Sequence, residues 1–128
     1  MRQILFRGKR IDNGEWVEGY FVNLWLMHYQ KHQPIITDNN AVSYDVDPST
    51  VGQYTGLTDK NGKKIFEGDI MAFTAYGFDY VGTVEFADGS FSIMCEHASP
   101  FLDQAVSKHG AYIIGNMHDN PELLKGAE

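Results

Sequence analysis

The chain has 128 residues, enough for one compact domain that could divide into two subdomains sharing a core. Its hydrophobic fraction of 43% and aromatic fraction of 13% exclude intrinsic disorder. A formal net charge of −7, which protonation of all five histidines would still leave negative, disfavours nucleic acid, whose phosphates are bound through Lys and Arg clusters.

In chain order, Leu5 to Arg10 reads as a strand, and Asp12-Asn13-Gly14 as a turn. Trp16 to Val22 follows, with Trp16, Tyr20 and Val22 on one face and Val17 and Phe21 on the other. Leu24 to Tyr29 extends that strand, Gln30 to Gln33 is polar and loop-like, and Pro34 to Thr37 returns as a strand. Asp38-Asn39-Asn40 is a turn, and Ala41 to Val46 alternates with Val42, Tyr44 and Val46 on one side. Asp47-Pro48-Ser49-Thr50 is expected to close this first unit, because proline cannot donate to a sheet ladder.

The stretch Val51 to Ile70 has no helical period, and Gly52, Gly56, Gly62 and Gly68 punctuate it. Asn61-Gly62 is a two-residue hairpin signal. The stretch is expected to join an N-terminal β unit, about residues 1–50, to a C-terminal β unit, about residues 51–128. Beyond it come a strand from Ile70 to Thr74, an aromatic loop Tyr76-Gly77-Phe78-Asp79-Tyr80, and a hairpin that turns at Asp88-Gly89. Ser99 as N-cap, Pro100 as first helical residue and Gly110 as stop predict a short helix with Phe101, Leu102, Ala105 and Val106 as its apolar stripe. Ala111 to Asn116 is the last strand, and Asn120-Pro121-Glu122 opens a terminal helical turn anchored by Leu123 and Leu124. The predicted fold class is mainly β with minor α. It comprises two small β subdomains, the C-terminal one an SH3-like or similar small barrel capped by the short helix.

Chemistry-bearing residues form no recognisable constellation. His28 and His32 are four apart but fall on a strand end and loop; His97, His109 and His118 are scattered, and Cys95 has no CxxC partner, so no metal is expected. Asp59-Lys60-Asn61-Gly62 fails as a calcium loop, since aligning Gly62 puts Leu57 at the first ligand. No GxSxG elbow, phosphate loop or cofactor motif is present. Asp69, His118 and Asp119 are the residues a small-molecule enzyme would use, the least favoured of three readings. Cys95 reads as a small buried thiol. Tyr76, Phe78 and Tyr80 crowd a glycine-bearing loop, where rings serve as a contact surface or plug a barrel end or subunit interface. Trp16 and Trp25 read as core or interface residues.

The block Thr50 to Leu57 with Asp59 to Ile70 resembles the signature of the YopX family of bacteriophage and prophage proteins. Phe6-Arg7-Gly8-Lys9 with Trp16-Val17-Glu18-Gly19, and Ile114-Gly115-Asn116 with His118 to Leu124, fall in the same order as in that family. The resemblance implies a mainly β, two-part fold in a protein encoded by temperate phages or prophages of Gram-positive bacteria. It brings no assigned activity and no catalytic residue.

Together these readings lead to a non-enzymatic accessory protein that binds a protein partner or associates with itself, with Tyr76, Phe78 and Tyr80 as its contact surface. The alternative is a nucleic-acid module in which Lys60, Lys63 and Lys64 meet phosphates beside those rings. No apolar run reaches the roughly 20 residues of a membrane helix, and the N-terminus lacks the pattern of a signal peptide. The expected location is the cytoplasm of a bacterial host cell.

Overall fold

The structure, a computed structural model, describes residues 4–125. The chain divides into two compact units, Met1–Tyr54 and Thr55–Glu128.

In the first unit, β1 (Phe6–Arg10), β2 (Trp16–Leu26), β3 (Lys31–Thr37) and β4 (Ser43–Thr58) are joined in sequence by antiparallel pairing. β1 also pairs with β4, which closes the ladder into a ring. Closure is possible because β4 is long and bulged: the register shifts between Arg7 and Lys9. Asp47 Oδ1 accepts from the Ser49 amide at 3.0 Å, and Thr50 Oγ1 donates to the Asp47 carbonyl while accepting from the Lys9 amide at 2.8 Å. The Thr50 hydroxyl thereby stands in for a ladder group, and the bulge accommodates a proline that a regular pair would reject. The strand therefore runs through Pro48 where the sequence predicted an ending. Ile36 and Val46 fill the ring, and Phe6 packs on Phe21 at 5.7 Å. A side chain at Gly19 would meet the Thr37 carbonyl oxygen at 2.1 Å, so the close approach of β2 and β3 requires glycine there.

Gln30 to Gln33 departs from expectation too. The turn is Met27 to Gln30, and Lys31, His32 and Gln33 belong to β3 opposite Leu26, Trp25 and Leu24. Their polarity suits an exposed ribbon, and the pairing that makes them a strand is invisible in local pattern.

In the second unit the end of β4 pairs with β5 (Lys64–Phe66). A four-stranded sheet follows in the order β8-β7-β6-β9, made of β6 (Asp69–Ala75), β7 (Phe78–Ala87), β8 (Ser90–Met94) and β9 (Tyr112–Asn116). Ile65, Met71, Val84 and Ile93 form its core with Leu102 and Ala105 of α1 (Leu102–His109). The helix covers this core, and a turn of helix, α2 (Glu122–Lys125), ends the described chain. The fold is mainly β with a closed small barrel and a second sheet; the ring that closes by strand pairing is the N-terminal one.

α1 begins later than its cap signal. Phe101, not Ser99, is the N-cap, because the Pro100 carbonyl accepts from the Ile93 amide and Phe101 bridges to Ser92. These two residues are held as an extension of the β8 edge, which leaves Phe101 exposed and outside the buried stripe. Gly110 ends the helix as expected, in the left-handed conformation. No helix among the described residues is long and apolar enough to cross a membrane.

Candidate functional site

The signature block proves to be a bonded framework. Asp59 is buried at the β4–β5 turn; its Oδ1 accepts from the amides of Asn61 and Lys63, both at 2.9 Å. Its Oδ2 accepts from the Ile113 amide at 3.0 Å, tying the turn to β9 across 54 residues of sequence. Burial pushes this carboxyl up, but the three amide donors outweigh burial and hold it below the ordinary aspartate value. Asp69, also buried, accepts from the Phe66 amide at 2.8 Å, and Thr55 Oγ1 donates to the Ile65 carbonyl. The residues most typical of the block thus spend their polar atoms on turns.

The β6–β7 turn is of another kind. Tyr76 and Gly77 carry φ of 53° and 82°, the positive pair that a type I′ hairpin turn requires. In the same sheet Asp88 and Gly89, with φ of 53° and 83°, make the equivalent turn from β7 to β8. Aspartate suits the left-handed position; a bulky tyrosine is disfavoured there by a Cβ–carbonyl clash of about 1 kcal/mol. Tyr76 is nevertheless placed there with 89% of its surface exposed.

Five rings lie at this turn. Phe73 and Tyr80 are cross-strand partners and stack at 5.1 Å with an interplanar angle of 15°. His109, from the last turn of α1, stacks on Phe73 at 5.9 Å, and Tyr76 meets His109 edge-on at 5.7 Å. Phe78 pairs with Ala75 and shares its face, yet is 66% exposed, because the core face of the sheet continues past the core itself. Thr74 Oγ1 donates to Asp79 Oδ1 at 2.6 Å and clips the two strands together behind the turn. What the sequence presented as a five-residue loop is therefore a two-residue turn, with Phe78 and Tyr80 held in β7.

Two clefts flank the hairpin, and Tyr80 lines both. One, of about 490 Å³, lies among Phe78, Val81, Met94, Cys95 and Leu124, with Asp79 and Glu96 at its polar margin. The other, of about 330 Å³, lies among Phe73, Tyr76, Pro100 and His109. Both fall in the size range of clefts that take small ligands. Neither lining includes a lysine or arginine. Cys95 is half-buried, and burial raises its thiol above the ordinary value, which makes it a poor nucleophile.

Tyr76, Phe78 and Tyr80 are brought together, but Lys60, Lys63 and Lys64 are elsewhere. The three lysines are exposed on the β4–β5 turn, and the Lys60 ammonium sits 4.3 Å above the Tyr112 ring. Asp69 pairs with Asn116, and the Asp119 carboxylate accepts from the Asn116 side chain at 3.1 Å. A Cβ at Gly68 would stand 3.6 Å from His118 Nε2. No group of three or more His, Cys, Asp or Glu side chains among the described residues is arranged to hold a metal ion. His109 was missed by sequence reasoning, since only the packing of α1 brings it to the hairpin.

The profile of the family described as YopX protein matches residues 5–125. Among solved structures, the chain is similar to the crystal structure of protein EF1440 from Enterococcus faecalis. The two share 26% identity with a TM-score of 0.62, over 97% of this chain and 99% of that one. No curated protein matches the chain.

Proposed function

This chain belongs to the YopX family, and from that premise we propose that it is a non-enzymatic binding module of phage or prophage origin. It captures a protein partner through Tyr76, Phe78 and the clefts that share Tyr80. The observation that carries this reading is Tyr76 itself, an exposed ring held at a turn position that disfavours it. Strain retained at an exposed position points to use, since a turn alone is better served by Asp or Asn. The ring stack beneath supports the reading by holding the hairpin rigid, so little entropy is lost when a partner docks. The carboxylates of Asp79 and Glu96, with no lysine or arginine in either cleft lining, favour a protein segment over a phosphate backbone.

The test is capture from bacterial lysate by the tagged wild type and by Phe78→Ala, each with and without nuclease. A stoichiometric protein that survives nuclease and is lost with Phe78→Ala is the expected result. Capture that vanishes with nuclease would transfer the function to the lysine turn and to nucleic acid.

A further inference from the structure

The N-terminal unit carries a second surface, independent of the hairpin. Along β2 the odd positions turn inward as far as Phe21, where Gly19 is buried and Phe21 packs on Phe6; further along, Asn23 and Trp25 are exposed, Trp25 lying against His32 at 4.9 Å. The even positions turn outward, where an antiparallel sheet usually presents polar residues. Here they are Tyr20, Val22, Leu24 and Leu26, the first three exposed by 67%, 47% and 42%. Lys31, opposite Leu26, lays its ammonium over the Tyr29 ring at 5.8 Å and brings that exposed ring to the same side. β3 pairs with β4 over Ile35 to Thr37, so Asn23–Leu26 and Lys31–Pro34 form a two-stranded ribbon beyond that pairing. Such a ribbon is marginal in water unless something covers its apolar face.

We propose that the cover is a second copy of this chain, stacked face to face and antiparallel about a two-fold axis at the level of Val22. Charge is the first reason. None of the 17 acidic residues lies between Gly19 and Thr37, so this is a face on which two chains of net charge −7 can meet without repulsion. The second is the layout of the face. Val22–Ile35 is the one outward cross-strand pair in the arm with two aliphatic members; Tyr20 faces Thr37, Leu24 faces Gln33 and Leu26 faces Lys31. An aliphatic centre with a polar rim is the anatomy of an interface, and a two-fold axis at the centre sets Val22 and Ile35 against themselves. Tyr20 of one copy then meets Leu24 of the other, and Lys31 falls at the level of Glu18, beside which Arg7 stacks over Trp16. The third reason is area. Tyr20, Val22, Leu24, Met27 and Tyr29 together expose roughly 600 Å², approaching the roughly 800 Å² each partner contributes to a standard interface.

The test uses the axis. Val22 is exposed, so Val22→Glu and Val22→Lys fold as the wild type does, which their melting temperatures check. Each places like charges against themselves and raises the dimer dissociation constant by roughly a hundredfold. An equimolar mixture of the two restores a dimer, because each Glu meets a Lys. Sedimentation velocity is expected to give a dimeric wild type, two monomeric single variants and a heterodimeric mixture. A wild type that is monomeric from micromolar to millimolar concentration overturns the proposal, as do single variants that remain dimeric or a mixture that remains monomeric. A monomeric wild type that floats with phosphatidylcholine vesicles also overturns it and assigns the stripe to a lipid surface. Phe78→Ala leaves all of these results unchanged, so the two surfaces fail or stand separately.

Discussion

Two turns of the C-terminal unit solve the same task with opposite chemistry. At the β4–β5 turn a buried carboxylate satisfies three amides, one of them from a strand 54 residues away. At the β6–β7 turn a tyrosine is held in a left-handed conformation with its ring in solvent. The first turn is made entirely of internal bonds. The second leaves its largest side chain without internal use beyond an edge contact to His109. A residue that helps its fold is expected to be buried or bonded, as Asp59 is; one that strains its fold and stays exposed is expected to serve something outside it. The Asp88-Gly89 turn provides the internal control, with the same conformation and a residue suited to it.

The largest effect should come from the framework. Asp59→Ala leaves three amides without their acceptor and should cost about 3–4 kcal/mol, read as a lower urea midpoint. Because the Asp59 carboxyl is held below its ordinary value of 3.8, its contribution is fully present above that pH and is lost as pH falls through the folded-state value. The wild type should therefore lose stability on acidification in this range, and Asp59→Ala should lose less over the same interval. Equal acid sensitivity would show that the turn is held by other groups.

A smaller effect should follow from copying one turn into the other. Asp88→Tyr recreates the Tyr76-Gly77 pair at the β7–β8 turn and should destabilise by about 1 kcal/mol. It should add no capture, because the Phe73–Tyr80–His109 stack and the clefts belong to the other hairpin. New capture by Asp88→Tyr would mean that any exposed ring suffices.

The sequence made one half of this comparison easier to read than the other. Alternation and the Asp88-Gly89 signal were enough to place most strands and one two-residue hairpin, and Gly110 marked the helix end. Asn61-Gly62 located a turn but not its type, since the connection runs from Asp59 to Lys63 and only Gly62 of the pair has a positive φ. The aromatic cluster at Tyr76–Tyr80 was visible as composition. Its geometry was not, because a tyrosine in a type I′ position violates the residue preference by which such turns are recognised. Local signals failed wherever a distant group intervened. Pro48 looks like a stop in local sequence because the Lys9 amide that the Thr50 hydroxyl serves lies 41 residues from Thr50. Ser99 looks like a cap in local sequence because the bond from the Ile93 amide to the Pro100 carbonyl cannot be seen in either segment alone. The outward stripe on β2 was hidden for a similar reason: its alternation was legible, but which side faced water depended on Ile36 and Val46 filling the other.

The most direct test of the account measures stability and capture together on one variant, Tyr76→Asn. Asparagine tolerates the left-handed turn position, and the relief exceeds the lost edge contact with His109 by about 0.5 kcal/mol. The expected result is a melting temperature slightly above that of the wild type, with partner capture abolished. A variant that melts lower, or one that captures its partner as well as the wild type does, would contradict it.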